Sequence, residues 1–321
     1  MRNRIRVTVL SLLLAAFCTS EAHAVWIWTP QSRRWVNPKY AAKDTPRAQM
    51  DWAVNFFEAR DYRRAVKEFV RLVQAYPRSE LAPEAQYLAG VCYELLDKPS
   101  KAFEAYKKVV EIYPFSRQFK DSVEREFAIA ESFSGGKRIH LIGPVSLPSL
   151  DQAVEIYQHV VTNAPYSDYG AKSQFMLGEC YSKQGRYEEA SRASQRVTDE
   201  YPSSPLVEQA KFRVAFCARQ LSLKPSYDQS ATDEAINWYE SFIASHPDSD
   251  LLPQARESLR QLKGFKATGF FQTAAFYEKQ GKPASAAVYY QQVVDKYPDS
   301  PEAVRAAAKL VEFDRAGVVK H

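Results

Sequence analysis

The chain has 321 residues, 45% hydrophobic and 25% charged, with 11 glycines and 19 tyrosines. That balance excludes a disordered or fibrous chain, and so little glycine beside so much tyrosine favours helices packed through aromatic rings over a turn-rich β fold. The formal net charge is +5, of which Arg2, Arg4 and Arg6 carry three units; what remains is too even, taken over the whole chain, to point to nucleic acid or to an anionic membrane surface.

The first element is an export signal over residues 1–24. Arg2, Arg4 and Arg6 form a basic start, Val7 to Phe17 is an apolar run too short to span a bilayer, and Ala22-His23-Ala24 is a small-x-small cleavage site. Cleavage after Ala24 is the favoured expectation. A lipid anchor at Cys18 is the alternative, disfavoured because Phe17 is bulky where a lipoprotein signal has a small residue. The expected destination is the periplasm, at the inner face of the outer membrane. No later stretch reaches the roughly 18 apolar residues of a membrane helix. Residues 25–45 are rich in tryptophan. Trp26 and Trp28 alternate as in a strand, Pro30 to Arg33 suit a turn, and Trp35 returns beside them. The favoured role is a cap on the first repeat; the rival is an aromatic hook for a partner or glycan.

From residue 46 onward one punctuation mark recurs. Tyr76-Pro77-Arg78-Ser79, Tyr113-Pro114-Phe115-Ser116, Ala164-Pro165-Tyr166-Ser167, Tyr201-Pro202-Ser203-Ser204, His246-Pro247-Asp248-Ser249 and Tyr297-Pro298-Asp299-Ser300 are six versions of it. Twelve residues before each proline stands an alanine: Ala65, Ala102, Ala153, Ala190, Ala235 and Ala286. Four residues on come Phe69, Tyr106, Tyr157, Ser194, Tyr239 and Tyr290, and three further on Leu72, Val109, Val160, Val197, Phe242 and Val293. Spacings of four and three place these on one helix face. Between a proline and the next such helix lies another, seen in "AQYLAGVCYELL" (85–96), "SQFMLGECYSKQ" (173–184) and "AKFRVAFCARQL" (210–221), where Gly90, Gly178 and Ala215 are the small residues. Proline ends each second helix, and the serine two residues later is placed to cap the next first helix.

Small residue, aromatic, alanine, aromatic and proline, all in phase, resemble the tetratricopeptide repeat. The resemblance implies an all-α, right-handed solenoid of about five to six helix pairs. The expected division is residues 46–165, with a loop inserted at 134–149, and residues 166–321, with a long linking helix at 251–281, continuous or slightly broken near Gly264.

No catalytic or metal constellation emerges. His140, His159, His246 and His321 lack the paired spacing of a zinc site. Cys92, Cys180 and Cys217 occupy one position in three different first helices; equivalent positions in stacked repeats lie about 10 Å apart for packed helices, which is beyond disulfide reach, and they read as small core residues. "SGGKR" (134–138) lacks the first glycine and the hydroxyl residue of a phosphate loop. The reading is a non-enzyme with no cofactor and no metal.

Stacked helix pairs expose a concave face lined by the first helices, suited to a partner's extended or helical segment. Mapping the unit puts Arg47, Met50, Val54 and Phe57 there in unit one, Tyr87, Val91, Glu94 and Leu95 in unit two, and Lys172, Phe175, Glu179 and Lys183 in unit four. Each reads equally well as packing within the solenoid.

Residues 233–310 carry a closer likeness. "DEAINWYESFIASHPDSDLLPQARESLRQL" leads into "FFQTAAFYEKQGKPASAAVYYQQVVDKYPDS": a repeat, a long linking helix, then a final repeat. This order resembles the BamD-like family of outer-membrane assembly lipoproteins. The resemblance implies a non-enzymatic scaffold whose N-terminal repeats receive unfolded outer-membrane protein segments and whose C-terminal repeats hold the β-barrel assembly subunit. The chain departs from the family at Phe17, in the 134–149 insertion and in its tryptophan-rich start. Two other readings stand beside it: a periplasmic repeat adaptor of the Tol-associated, cell-division kind, disfavoured because no heptad segment precedes Ala41, and a cell-wall glycan-binding protein using Trp26, Trp28 and Trp35.

Overall fold

The computed structural model describes residues 27–29, 34–36, 41–135, 138–140, 146–148, 150–222 and 230–317. The expected signal, Cys18 and Trp26 lie outside them. The chain divides into two compact units, one up to Phe119 and one from Lys120.

The first unit begins with two three-residue strands, β1 (Ile27–Thr29) and β2 (Arg34–Val36), paired antiparallel with Trp28 opposite Trp35. Two helix pairs follow: α1 (Pro46–Glu58) with α2 (Tyr62–Ala75), and α3 (Ala82–Leu95) with α4 (Pro99–Ile112). Thr45 caps α1 by accepting from the Ala48 N–H at 3.1 Å, and Pro46 occupies the first turn, where its missing N–H costs nothing.

The second unit holds α5 (Gln118–Ser134, its first two residues belonging to the first unit), α6 (Leu150–Asn163), α7 (Gly170–Lys183), α8 (Tyr187–Glu200), α9 (Val207–Ser222), α10 (Ser230–Ser245), α11 (Leu252–Lys279), α12 (Pro283–Lys296) and α13 (Pro301–Arg315). The insertion between α5 and α6 is more than a loop: β3 (Arg138–His140) pairs antiparallel with β4 (Ser146–Pro148), Ile139 opposite Leu147.

Every position singled out on the second helices is core. The six alanines from Ala65 to Ala286, the aromatic positions from Phe69 to Tyr290, Ser194 included, and the apolar positions from Leu72 to Val293 are all at most 2% exposed. A Cβ on Gly90 would lie 2.5 Å from the Tyr106 ring, so the small residue of α3 is what admits the large one of α4. The turns joining first to second helices repeat as well. Arg60, Asp97, Gly185 and Gly281 each take a left-handed backbone, and the next N–H closes on the carbonyl five residues earlier, as Asp61 to Phe56, Lys98 to Tyr93, Arg186 to Tyr181 and Lys282 to Tyr277, at 2.9–3.0 Å.

The serines of the punctuation act differently from expectation. Only Ser300 caps its helix directly, accepting from Ala303 N–H at 3.1 Å. Ser79, Ser167, Ser204 and Ser249 accept from the N–H two residues on, and α3, α7, α9 and α11 begin a turn later. At three of these sites the residue two on is leucine; Leu81, Leu206 and Leu251 pack on core clusters, anchoring the intervening turn.

Helix α11 is unbroken across Gly264. Ala255, Leu259 and Leu262 pack with α10, whereas Ala267, Phe270, Phe271, Ala274 and Tyr277 pack with α12 and α13. One 28-residue helix thus links two repeats and supplies the first helix of the last one.

Candidate peptide-binding groove

The fourth repeat breaks the aromatic rule at Ser194, and the consequence is local. Beside Gly178, where Gly90 meets a tyrosine ring, a Cβ would meet Ser194 Oγ at 2.7 Å and Arg213 Cδ at 3.6 Å. Arg213 comes from α9 and reaches back over α7. Its guanidinium sits 4.3 Å from the Phe175 ring centroid, donates to Glu179 at 2.6 Å and leaves its side chain 17% exposed. An arginine stacked on a ring, donating one N–H to a carboxylate and another to the Phe175 carbonyl at 3.4 Å, is held in one pose.

These residues edge a groove of about 320 Å³ along the first helices of the fourth and fifth repeats. Phe175, Phe212, Phe216 and Leu251 make it apolar; Glu179, Ser182, Lys183, Gln209 and Arg213 give it polar edges. The floor is braced from behind: Phe212 meets Tyr239 and Phe242 edge-on at 6.1 and 5.5 Å, and Phe216 meets Tyr187 at 6.3 Å. Glu179 pairs with both cations of the edge, Arg213 at 2.6 Å and Lys183 at 3.7 Å, so an apolar slot is rimmed by two positive charges and one negative.

Of the expected concave-face residues, Phe175, Glu179 and Lys183 line this groove. Lys172 is exposed on the same helix, its ammonium 5.4 Å from the Tyr169 ring. In the first unit Met50 is buried in the core, Val54 and Phe57 pack on it, and Phe57 meets Phe69 edge-on. Arg47 is exposed and pairs with Asp51 at 3.1 Å. Tyr87 packs on Tyr106, Val91 is half-buried, and Leu95 is exposed. Glu94 accepts from the Tyr106 hydroxyl at 2.5 Å, and Glu278 from Tyr290 at 2.9 Å: one link, made in two repeats. Trp28 and Trp35 meet edge to face at 6.1 Å and are 50% and 63% exposed. Cys92, Cys180 and Cys217 are buried free thiols, pushed up by burial to about 12, 11 and 11. His159 is buried on Glu126, its Nδ1 2.8 Å from the carboxylate.

Arg213 escaped sequence reasoning because the signal lies in a vacancy: Ser194 where neighbouring repeats place a ring. A second cleft, of about 490 Å³, lies between the first half of α11 and the turn before α13. As in the groove, cations at its edge are paired: Arg260 with Glu257 and Lys263 with Glu240, both at 2.7 Å.

Helix pairs built from a small residue, an aromatic, an alanine and a terminal proline define a tetratricopeptide-repeat protein, and residues 50–117 match the tetratricopeptide repeat model. Residues 145–319, more than half of the chain, match the family described as outer membrane lipoprotein (YfiO), and the chain belongs to that family. It is similar to the outer membrane protein assembly factor BamD of Caulobacter vibrioides, 23% identical over 162 residues, 50% of this chain and 53% of that protein. The chain thus spans about half the length of the curated relative it matches. Among solved structures it is similar to YrrB, described as a TPR protein with an unusual peptide-binding site (15% identity, 68% of this chain and 94% of that one, TM-score 0.34), and to a tetratricopeptide repeat protein of Parabacteroides merdae (13%, 83% and 97%, TM-score 0.33). The chain is a BamD-like tetratricopeptide-repeat protein.

Proposed function

We propose that this protein is a non-enzymatic periplasmic adaptor that assists assembly of β-barrel proteins into the outer membrane. The α7–α9 groove, lying within the family-matched residues, carries the reading. In it Phe175, Phe212 and Phe216 take an apolar side chain of an unfolded outer-membrane protein segment, and Arg213 with Lys183, two cations sharing the single carboxylate of Glu179, takes an adjacent carboxylate. The C-terminal repeats, from α11 to α13, hold the β-barrel assembly subunit. Family membership and the similarity to an assembly factor support this assignment.

The test is fluorescence anisotropy with a labelled peptide copied from one strand of a β-barrel protein. Arg213→Ala weakens binding by about tenfold, the loss of one buried charged contact. Lys183→Glu, at an exposed position, lowers affinity for acidic peptides and leaves the fold intact. Equal affinity in both variants and the parent contradicts the groove assignment.

A further inference from the structure

The whole-chain charge balance hides a sharp local asymmetry. Residues 25–43 contain Arg33, Arg34, Lys39 and Lys43 and no acidic residue, whereas residues 44–321 hold 36 Lys and Arg against 37 Asp and Glu. Setting aside residues 1–24, all of the excess positive charge therefore lies in one short segment. The same segment holds three of the five tryptophans.

The β1–β2 pair puts Trp28 directly opposite Trp35. Cross-strand partners project from one face of a two-stranded ribbon. The indoles meet edge to face at 6.1 Å, yet keep 50% and 63% of their surface in water. An indole has an apolar body and a polar N–H, and it is most stable where hydrocarbon meets headgroup. The edge-to-face arrangement forms a wedge and leaves no flat two-ring platform on which a sugar ring stacks. Cations without anions add attraction to a negative lipid surface.

We propose that the β1–β2 ribbon is a membrane-contact element: Trp28 and Trp35 enter the interface of an anionic lipid surface, and the cations of residues 25–43 hold the segment against the headgroups. This contact needs no acyl chain. An acyl chain at Cys18 would add a second signal to it, and two signals make a stable anchor where one is reversible.

The test is co-sedimentation of the processed protein with vesicles of phosphatidylethanolamine containing phosphatidylglycerol, and with purified cell wall in parallel. The expected result is binding that rises with the phosphatidylglycerol fraction, falls as salt screens the charges, and shifts tryptophan emission to the blue. Trp28→Ala/Trp35→Ala and, separately, Arg33→Glu/Arg34→Glu each weaken binding by about tenfold or more, with the helical melting temperature unchanged. Equal binding by parent and variants overturns the proposal. So does cell-wall binding without vesicle binding, or a lowered melt in the tryptophan variant without vesicle binding by the parent, which would make the ribbon a cap. Peptide affinity at the Arg213 groove is independent of these outcomes, so the two assignments fail separately.

Discussion

Gly90 and Tyr106 show how one residue licenses another. A methyl group on Gly90 would sit 2.5 Å from a ring that is fully buried, so Gly90→Ala forces the ring or the helix to shift and costs about 1–3 kcal/mol. Gly264 gives the opposite sign: nothing lies within 4 Å of its added Cβ, and Gly264→Ala in mid-helix gains up to about 1 kcal/mol. Urea denaturation of both variants checks the pair of signs. The three thiols belong at this scale too. Buried and raised to about 11–12, Cys92, Cys180 and Cys217 react with a maleimide only as the helices open, so labelling rates rise with denaturant; rapid labelling in native buffer contradicts the packing. Alanine and aromatic positions were legible because they recur on one face at fixed distance from a proline. The glutamines were legible and went unused. In "AQM", "AQY" and "SQF", Gln49, Gln86 and Gln174 are buried and donate across the helix pair to the carbonyls of Glu68, Ala105 and Ala193 at 2.8–3.0 Å. A helical carbonyl already bonded within its own helix keeps a second lone pair, which that amide takes.

At the scale of elements, the turn between first and second helices is a fixed device with a variable residue. Arg60 takes φ 58° with a side chain, Gly281 takes φ 67° without one. Arg60→Gly therefore gains about 0.5 kcal/mol and Gly281→Ala loses about 1 kcal/mol, read as melting shifts of opposite direction. The last repeat carries a pH dependence. Burial pushes the Glu278 carboxyl up, but Lys309 at 2.9 Å and the Tyr290 hydroxyl outweigh it and hold it below its ordinary value of 4.5. A carboxylate lowered by folding contributes stability above its unfolded value, and that contribution is lost as pH falls through the folded one. Melting of the second unit should therefore fall below about pH 4.5, and Glu278→Gln should flatten that limb. The linking helix α11 was legible from its length, but not its double use: Ala255 and Leu262 face one neighbour and Ala267 and Ala274 the next, a handover that a single periodic stripe does not reveal. The β3–β4 hairpin was read as a loop because three-residue strands leave too little alternation to register.

For the whole molecule, the repeat architecture fixes what kind of function to expect more firmly than which partner. Each helix pair meets mainly its neighbours, so damage at Gly90 stays local to the first unit while the groove on α7 and α9 keeps its shape. The groove itself was half legible. Phe175, Glu179 and Lys183 followed from mapping the unit, whereas Arg213 required seeing what fills the space beside Ser194. The adaptor assignment rests on that groove within a family-matched stretch of 175 residues, 145–319. Its most direct test places a photo-crosslinking amino acid at Gln209, on the groove's rim, in the native cell envelope. The account predicts adducts with unfolded β-barrel precursors, abolished by Arg213→Ala, and co-recovery of the barrel assembly subunit. Adducts with Tol-system or cell-wall proteins alone, unchanged by Arg213→Ala, would contradict it.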